Sequence, residues 1–440
     1  ISISLTFDQN FKFLIPITII LIPAFLGIFY GLITLCFIIS KPKKIVSSFF
    51  SFSLFFGIFE FIRGSILTGF PWNLIAYSFS NHLEILSITS FIGTYGFNLF
   101  CISLFTSPAV FILRDSKKDI WVCIVFLMMP LLFYMHGSSY KETFNTSDVI
   151  SYNYKVRAIG SNISLDRFYS NIDPASAIND LIEISEPNKN EKTIFVWPEG
   201  ILPEISQKEL FEYKWLFEKS FNKNHLLLIG INNQTINKES INYFNSLSIY
   251  DHNLELLNFY NKVNLVPFGE FLPFENISKA FGLRSITNNY QSFSKGNKRE
   301  IMEINREGFS IKILPLICYE IIYSGKIFSN SNFDLIINIS EDGWFGKSIG
   351  PKQHFAHSIF RAVESGKYLL RSANNGIAAI INPLGIVEQK IEYGESGFID
   401  FKEAKKIQPT LFSKYGNKIF IILILLYIFI IFSFNRTKNE

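Results

Sequence analysis

The feature that most constrains this chain is a set of long apolar stretches without a single charge: Phe13 to Ser40, Ile45 to Phe59, Ile85 to Leu113, Ile120 to Tyr140 and Ile419 to Asn435. About 20 apolar residues cross a bilayer core as a helix, which satisfies its own backbone hydrogen bonds there. The second stretch is short, and reaches that length if the helix continues through Glu60 and Arg63 to about Ile66. These two charges stand three residues apart and can pair, which lowers the cost of holding them at membrane depth. The pair reads as bundle-stabilising, since an ion or proton pathway would need more intramembrane carboxylates.

Charge is distributed to match. Asp, Glu, Lys and Arg number 13 in residues 1–140 and 62 in residues 141–418, with three more after that. A disordered chain, a collagen-like fibre and a single soluble globule all require a more uniform composition, so all three are excluded. The expected organisation is a four-helix membrane bundle over 1–140, a folded domain over 146–411 and a further membrane helix over 417–436. Alternating the helices places Lys41, Lys43, Lys44, Arg114, Lys117, Lys118, Arg436 and Lys438 on one side. The other side has Lys12 and a loop, 67–83, without Lys or Arg. By the positive-inside rule the basic side is cytoplasmic and the folded domain faces outward. The first residue is Ile1 and no basic-then-apolar leader follows it, the pattern of a fragment of a longer protein. The net charge of +4 is accounted for by topology, so no nucleic-acid partner is expected.

Between Val149 and Leu411 short apolar runs alternate with amphipathic stretches. Strands are expected at Tyr154–Ile159, Thr193–Trp197, His225–Ile231, Tyr243–Tyr250, Ile311–Cys318, Leu335–Ile339, Leu369–Ser372 and Ile377–Ile381. Helices are expected at Pro174–Ile184, Glu209–Asn222 and His354–Glu364, and together these indicate an α/β layered domain. Asn382-Pro383-Leu384-Gly385 has the residues of a type I turn in a hairpin.

Cys36, Cys101 and Cys123 lie in the membrane stretches, and Cys318 is alone in the folded domain. His354 and His357 stand at i, i+3 without a third ligand, so no metal is expected, and no cofactor. Polar residues gather where strands end: Glu199 after TIFVWP, Lys262 after LNFYN, and Cys318 after IKILPLI. Ligands of such sheets sit at the carboxyl ends of strands. A carboxylate, an ammonium and a thiol there make a nucleophilic site in which Glu199 takes the thiol proton, Lys262 favours the thiolate and Cys318 attacks a carbonyl. By spacing alone, each of the two charges could equally be a solvated surface group and the cysteine a small buried hydrophobe.

Longer strings are more specific. WPEG at 197–200, YNKVNLVPFGEFLP at 260–273, ICYE at 317–320 and the stretch from Asp342 through DGWFG, SIGPKQH, RAVE and RSANNG to Gly376 resemble the nitrilase superfamily. With FIRGSILTGFPW at 61–72, which resembles a membrane portion that soluble nitrilases lack, the chain is similar to the apolipoprotein N-acyltransferase family from about residue 12 onward. The resemblance implies a nitrilase-like αββα sandwich inserted between the fourth and fifth membrane helices of this chain. It also implies a Glu199-Lys262-Cys318 triad, with Glu270, Tyr319 and Glu320 in supporting roles. Trp344, Phe345 and Tyr169 are candidate substrate contacts, although residues like the first two are more often core aromatics. Asn374-Asn375-Gly376 and the Arg361 and Glu364 pair read as scaffold. The sequence departs from the family in three places: five membrane helices instead of the usual eight, Tyr169 where a Trp is frequent, and Glu341 where an Asn is common.

The reaction implied is transfer of a fatty acyl group from a phospholipid to the N-terminal amine of a diacylglyceryl-modified lipoprotein, through a thioester on Cys318, at the outer face of a bacterial inner membrane. Phe268, Phe271, Leu272, Phe274 and Phe281 could dip into lipid and guide acyl chains, or pack internally. A membrane-anchored amidase or hydrolase with the same triad is the alternative enzyme. A non-enzymatic lipid carrier is disfavoured by the intact triad residues and by helices that lack a polar stripe.

Overall fold

The computed structural model describes residues 4–6, 9–169, 173–237, 240–273, 292–306, 308–327 and 332–436. Among these, five helices are long and apolar enough to cross a membrane. They are α1 (Ile15–Ser40), α2 (Ile45–Arg63), α3 (Thr89–Leu113), α4 (Asp119–Asn145) and the last helix, Lys418–Arg436. Helix α2 stops at Arg63, short of the expected Ile66, because the chain turns at Gly64 to form a loop. Glu60 and Arg63 do pair, at 3.4 Å and buried. Asn98 of α3 donates to Glu60, and Arg63 donates to Asn73 at 2.5 Å and to the Phe70 carbonyl at 3.0 Å. The buried charges are thus tied into the bundle.

Helix α3 begins later than the expected Ile85 and is broken at Gly93, whose φ of +70° is left-handed. A Cβ there would also collide with the Phe412 ring, so glycine is required twice over. The break exposes the Thr94 amide, and Glu364 of the folded domain accepts from both that amide at 2.7 Å and the Thr94 hydroxyl at 2.6 Å. Arg361, paired with Glu364 at 2.8 Å, donates to the same hydroxyl. The pair that read as scaffold therefore fastens the folded domain to the bundle.

The folded domain contains β1 (Val149–Ser161), β2 (Thr193–Val196), β3 (Leu202–Ser206), β4 (His225–Asn237), β5 (Ser240–Asp251), β6 (Leu256–Asn261), β7 (Met302–Arg306), β8 (Phe309–Ile317), β9 (Leu335–Glu341), β10 (Tyr368–Asn374), β11 (Ala378–Ile381), β12 (Val387–Ile391) and β13 (Gly397–Lys405). Its main path runs β6-β5-β4-β2-β1-β10-β9-β8-β7. Helices α5 (Pro174–Ser185) and α6 (Lys214–Ser220) precede β2 and β4, and α7 (Gly350–Ser365) precedes β10. The sheet folds so that its two halves face each other. Ile194, Val196, Leu226 and Leu228 of one half share a core with Leu335, Ile337, Ile339 and Leu370 of the other. The alternate residues Phe195, Trp197 and Leu227 face α5 and α6, while Leu314, Leu316, Ile336 and Leu369 face α7 and the bundle. This is an αββα sandwich, and strands buried on both faces explain the unbroken apolar runs of the sequence.

The expected helix Glu209–Asn222 is a 3-10 turn, Glu209–Tyr213, followed by the shorter α6. Helix α7 starts four residues before the expected His354 because Pro351 suits its first turn, and it ends at Gly366 with φ +66°. The Asn382–Gly385 turn joins the antiparallel pair β11 and β12 as expected, with the Gly385 amide 2.8 Å from the Asn382 carbonyl.

Candidate active site

Strands β1, β2, β4, β8, β9 and β10 run parallel. Two successive antiparallel pairings, β4 with β5 and β5 with β6, return β6 to the same direction. The residues that follow β2, β6 and β8 therefore emerge at one end of the sandwich, which brings Glu199, Lys262 and Cys318 to one cavity. The Lys262 ammonium sits 3.0 Å from Glu199 Oε1 and 3.0 Å from Glu270 Oε1. Asn245 Nδ2 donates to the same two oxygens at 2.6 and 2.7 Å. Glu199 Oε2 accepts from the Glu341 amide at 3.0 Å, and Glu270 Oε2 from the Val266 amide at 2.8 Å. Each carboxylate is thus held at both oxygens. Asn245 had no signal in the sequence: it lies within β5, and only its pairing beside the end of β6 carries it to the site.

Burial on its own would push the Lys262 ammonium down, but Glu199 and Glu270 outweigh it and hold the lysine well above its ordinary range. Burial raises the Glu270 carboxyl against the pull of Lys262. Cys318 is pushed well up, first by burial and then by Glu199, with Lys262 opposing. Lys262 does favour the thiolate, as expected, but is outweighed. These influences favour the protonated thiol, so chemistry at this sulfur would need a base to take its proton.

Cys318 has φ +47°, a strained conformation for a residue with a side chain, and opens a 3-10 turn over Cys318–Ile322. Glu320 in that turn gathers five donors: Tyr260 at 2.7 Å, the Val263 amide at 2.9 Å, the Asn264 amide at 3.1 Å, Arg299 at 2.6 Å and the Ile317 amide at 2.9 Å. It thereby clamps the segment after Lys262 against the Cys318 turn. Behind that turn His354 Nε2 lies 3.2 Å from the Cys318 carbonyl and Nδ1 lies 2.8 Å from Asp342, which pairs with Arg371 at 2.7 Å. The histidine that lacked metal partners in the sequence is part of this buried support.

Burial acts to raise the Glu320 carboxyl, yet Arg299 and the Ile317 amide outweigh it and hold it below its ordinary value. A depressed carboxyl contributes stability above its unfolded pKa of about 4.3 and loses it as pH falls through the lower folded value. Glu320→Gln, which leaves Arg299 buried without its charge partner, is expected to cost about 3–5 kcal/mol near neutral pH. Thermal melts in detergent should show the gap to the parent narrowing below about pH 4.

The cavity holds about 470 Å³ and is lined by Tyr319, Trp344 and Phe345 together with Phe70 and Trp72 from the loop after α2. Trp72 donates to Gln353 at 2.8 Å and stacks on His354, while Tyr319 donates to the Gly69 carbonyl at 2.8 Å. The membrane portion thus supplies part of the wall. Tyr169 packs edge-on against Trp344 at 6.5 Å and is not among the lining residues. Phe268 lines the cavity, whereas Phe271 and Leu272 line a neighbouring one, and Phe274 and Phe281 fall outside the described residues. A second, apolar cavity of about 490 Å³ shares Phe70, Pro267, Phe268 and Tyr319 with the first and runs along Ile19, Ile22 and Phe29 of α1.

Comparison with known proteins agrees with this architecture. The carbon-nitrogen hydrolase family model matches residues 181–400, and that of the apolipoprotein N-acyltransferase N-terminal domain matches residues 2–105. An apolipoprotein N-acyltransferase of Rickettsia bellii is 32% identical over 386 residues, covering 87% of this chain and 75% of its own. Those of Rickettsia prowazekii and Rhodopseudomonas palustris are 30% and 28% identical, each covering 93% of this chain and, respectively, 80% and 77% of their own. With a nitrilase-type sandwich, membrane-length helices and relatives at this identity over most of its length, the chain belongs to the apolipoprotein N-acyltransferase family.

Proposed function

We propose that Cys318, Glu199 and Lys262 carry out acyl transfer from a membrane phospholipid to the N-terminal amine of a diacylglyceryl-modified lipoprotein. The observation that carries this reading is the adjacency of the cavity holding these three residues to an apolar cavity along membrane helix α1, the two sharing Phe70, Pro267, Phe268 and Tyr319 as a common wall. In this scheme an acyl chain lodged along α1 has only these side chains between it and the thiol, and exclusion of water protects a thioester from hydrolysis. Glu199 takes the Cys318 proton as sulfur attacks the ester carbonyl, and Lys262 stabilises the oxyanion. The ester C–O bond breaks, Glu199 returns the proton to the lysophospholipid oxygen, and the thioester remains. The lipoprotein amine then attacks that carbonyl, its proton passes to Glu199, the C–S bond breaks, and Glu199 hands that proton to the departing sulfur, which restores the thiol.

Glu270 holds Lys262 from its second side, Glu320 and Tyr319 position the nucleophile turn, and Trp344 and Phe345 contact substrate in this scheme. Tyr169 acts on substrate through Trp344. The bundle takes in residues 1–140, the catalytic domain 146–411 and the last membrane helix 417–436. The asymmetry of Lys and Arg supports a catalytic domain on the outer face of a bacterial inner membrane. Incubation with phospholipid labelled in its acyl chain, followed by a diacylated lipopeptide, is expected to move label first to a hydroxylamine-sensitive adduct and then to the peptide amine. Label appearing as free fatty acid at the same rate with and without the amine would instead identify a hydrolase.

A further inference from the structure

The Glu199 carboxylate is held from the side opposite Lys262 by a second buried ion pair. Arg167 and Glu341 are 3% and 1% exposed and pair directly. Arg167 also donates to the Gly200 carbonyl at 3.1 Å, one residue beyond Glu199, and to the carbonyls of Ile163 at 3.1 Å and Ser164 at 2.7 Å. Glu341 accepts from Asn374 Nδ2 at 2.6 Å and from the Gly343 amide at 2.8 Å, while its own amide donates to Glu199 Oε2 at 3.0 Å. Glu341 lines the catalytic cavity, yet its carboxylate oxygens are occupied by these donors. A carboxylate so engaged is poorly placed to bind a substrate amine. One rigid unit therefore joins the segment after β1, the WPEG segment and the end of β9.

We infer that Arg167 and Glu341 form a positioning pair that aims the Glu199 carboxylate at the thiol by fixing the Gly200 carbonyl and the Glu341 amide on either side of it. The inference rests on the proposed role of Glu199 as the base. A hydrogen bond to a carboxylate favours its charged form, so the aimed amide serves a group that acts as a base. Stability alone would not require the pair to touch both flanks of the base. Buried ion pairs are in general no more stabilising than well-packed apolar groups.

The test compares Arg167→Met, Arg167→Lys and the double variant Arg167→Met/Glu341→Gln with the full-length parent in detergent, below the melting temperature of each. The double variant leaves no unpaired buried charge and keeps the comparison open if the single Met variant does not fold. The expected result for the Met variants is a kcat lower by about tenfold, KM for both substrates within about twofold, and an acid limb of kcat/KM moved up by about half a pH unit. Arg167→Lys, which retains charge but not the fork, should fall between. An unmoved acid limb with kcat loss proportional to the unfolded fraction would overturn the inference and leave a structural pair. Retention of activity by Glu199→Gln would instead overturn the underlying assignment of the base, whatever the Arg167 variants do.

Discussion

Cys318→Ala is expected to lose product formation by at least about 10⁴-fold and to lose the hydroxylamine-sensitive acyl adduct altogether. In the proposed mechanism the acyl group is bonded to this sulfur, and no other thiol lines the same cavity among the described residues. The variant should remain folded. Alanine pays the same left-handed strain at φ +47°, and the Glu199, Lys262 and Glu270 cluster keeps its mutual bonds. A melting temperature close to the parent, with mass spectrometry finding no adduct, is the predicted pair of results. An adduct that survives in this variant would place the nucleophile elsewhere.

Lys262→Met is expected to reduce kcat by about 10³-fold and to cost about 3–5 kcal/mol of stability, because it removes the cation that faces two buried carboxylates and, in the proposed mechanism, the developing oxyanion. The pH dependence separates these effects. In the parent, the Lys262 pKa lies above its unfolded value, so its stabilisation is fully present below about pH 10 and is lost only as pH rises through the folded value. In the variant, Glu199 and Glu270 face each other without a cation, and the Glu270 carboxyl, already raised by burial, loses the pull of Lys262 that opposed the rise. The penalty is then greatest at neutral pH and shrinks as acid protonates Glu270. Melts between pH 8 and 5 should therefore converge on the parent, while activity does not return. Adding Glu270→Gln should restore part of the stability at neutral pH, again without activity. Stability that stays pH-independent in Lys262→Met would contradict the two-carboxylate account.

Much of this arrangement was legible because lipid and a two-sided core each impose a simple pattern. The membrane spans were visible as charge-free stretches, and their ends shifted where a glycine turn or break intervened, at Gly64 and Gly93. The central strands were visible as apolar runs. Strands β7, β12 and β13, with sequences MEINR, VEQKI and GFIDFKEAK, were not, because they lie toward the sheet margins and mix charge with apolar residues. Glu199, Lys262 and Cys318 stood out as polar groups directly after apolar strands.

By itself, the sequence determined that this chain combines membrane helices with an α/β domain, and which acid, ammonium and thiol end its strands. Those properties reside in local composition and short motifs, which act over a few residues. Only the tertiary structure decided that Asn245 bridges Glu199 and Glu270, that Arg167 reaches Glu341 across 174 residues of chain, and that Phe70 and Trp72 of the membrane portion wall the cavity. Each of these depends on strand register and on the packing of bundle against sandwich, where partners are set by three-dimensional closure and leave no spacing in the sequence to read.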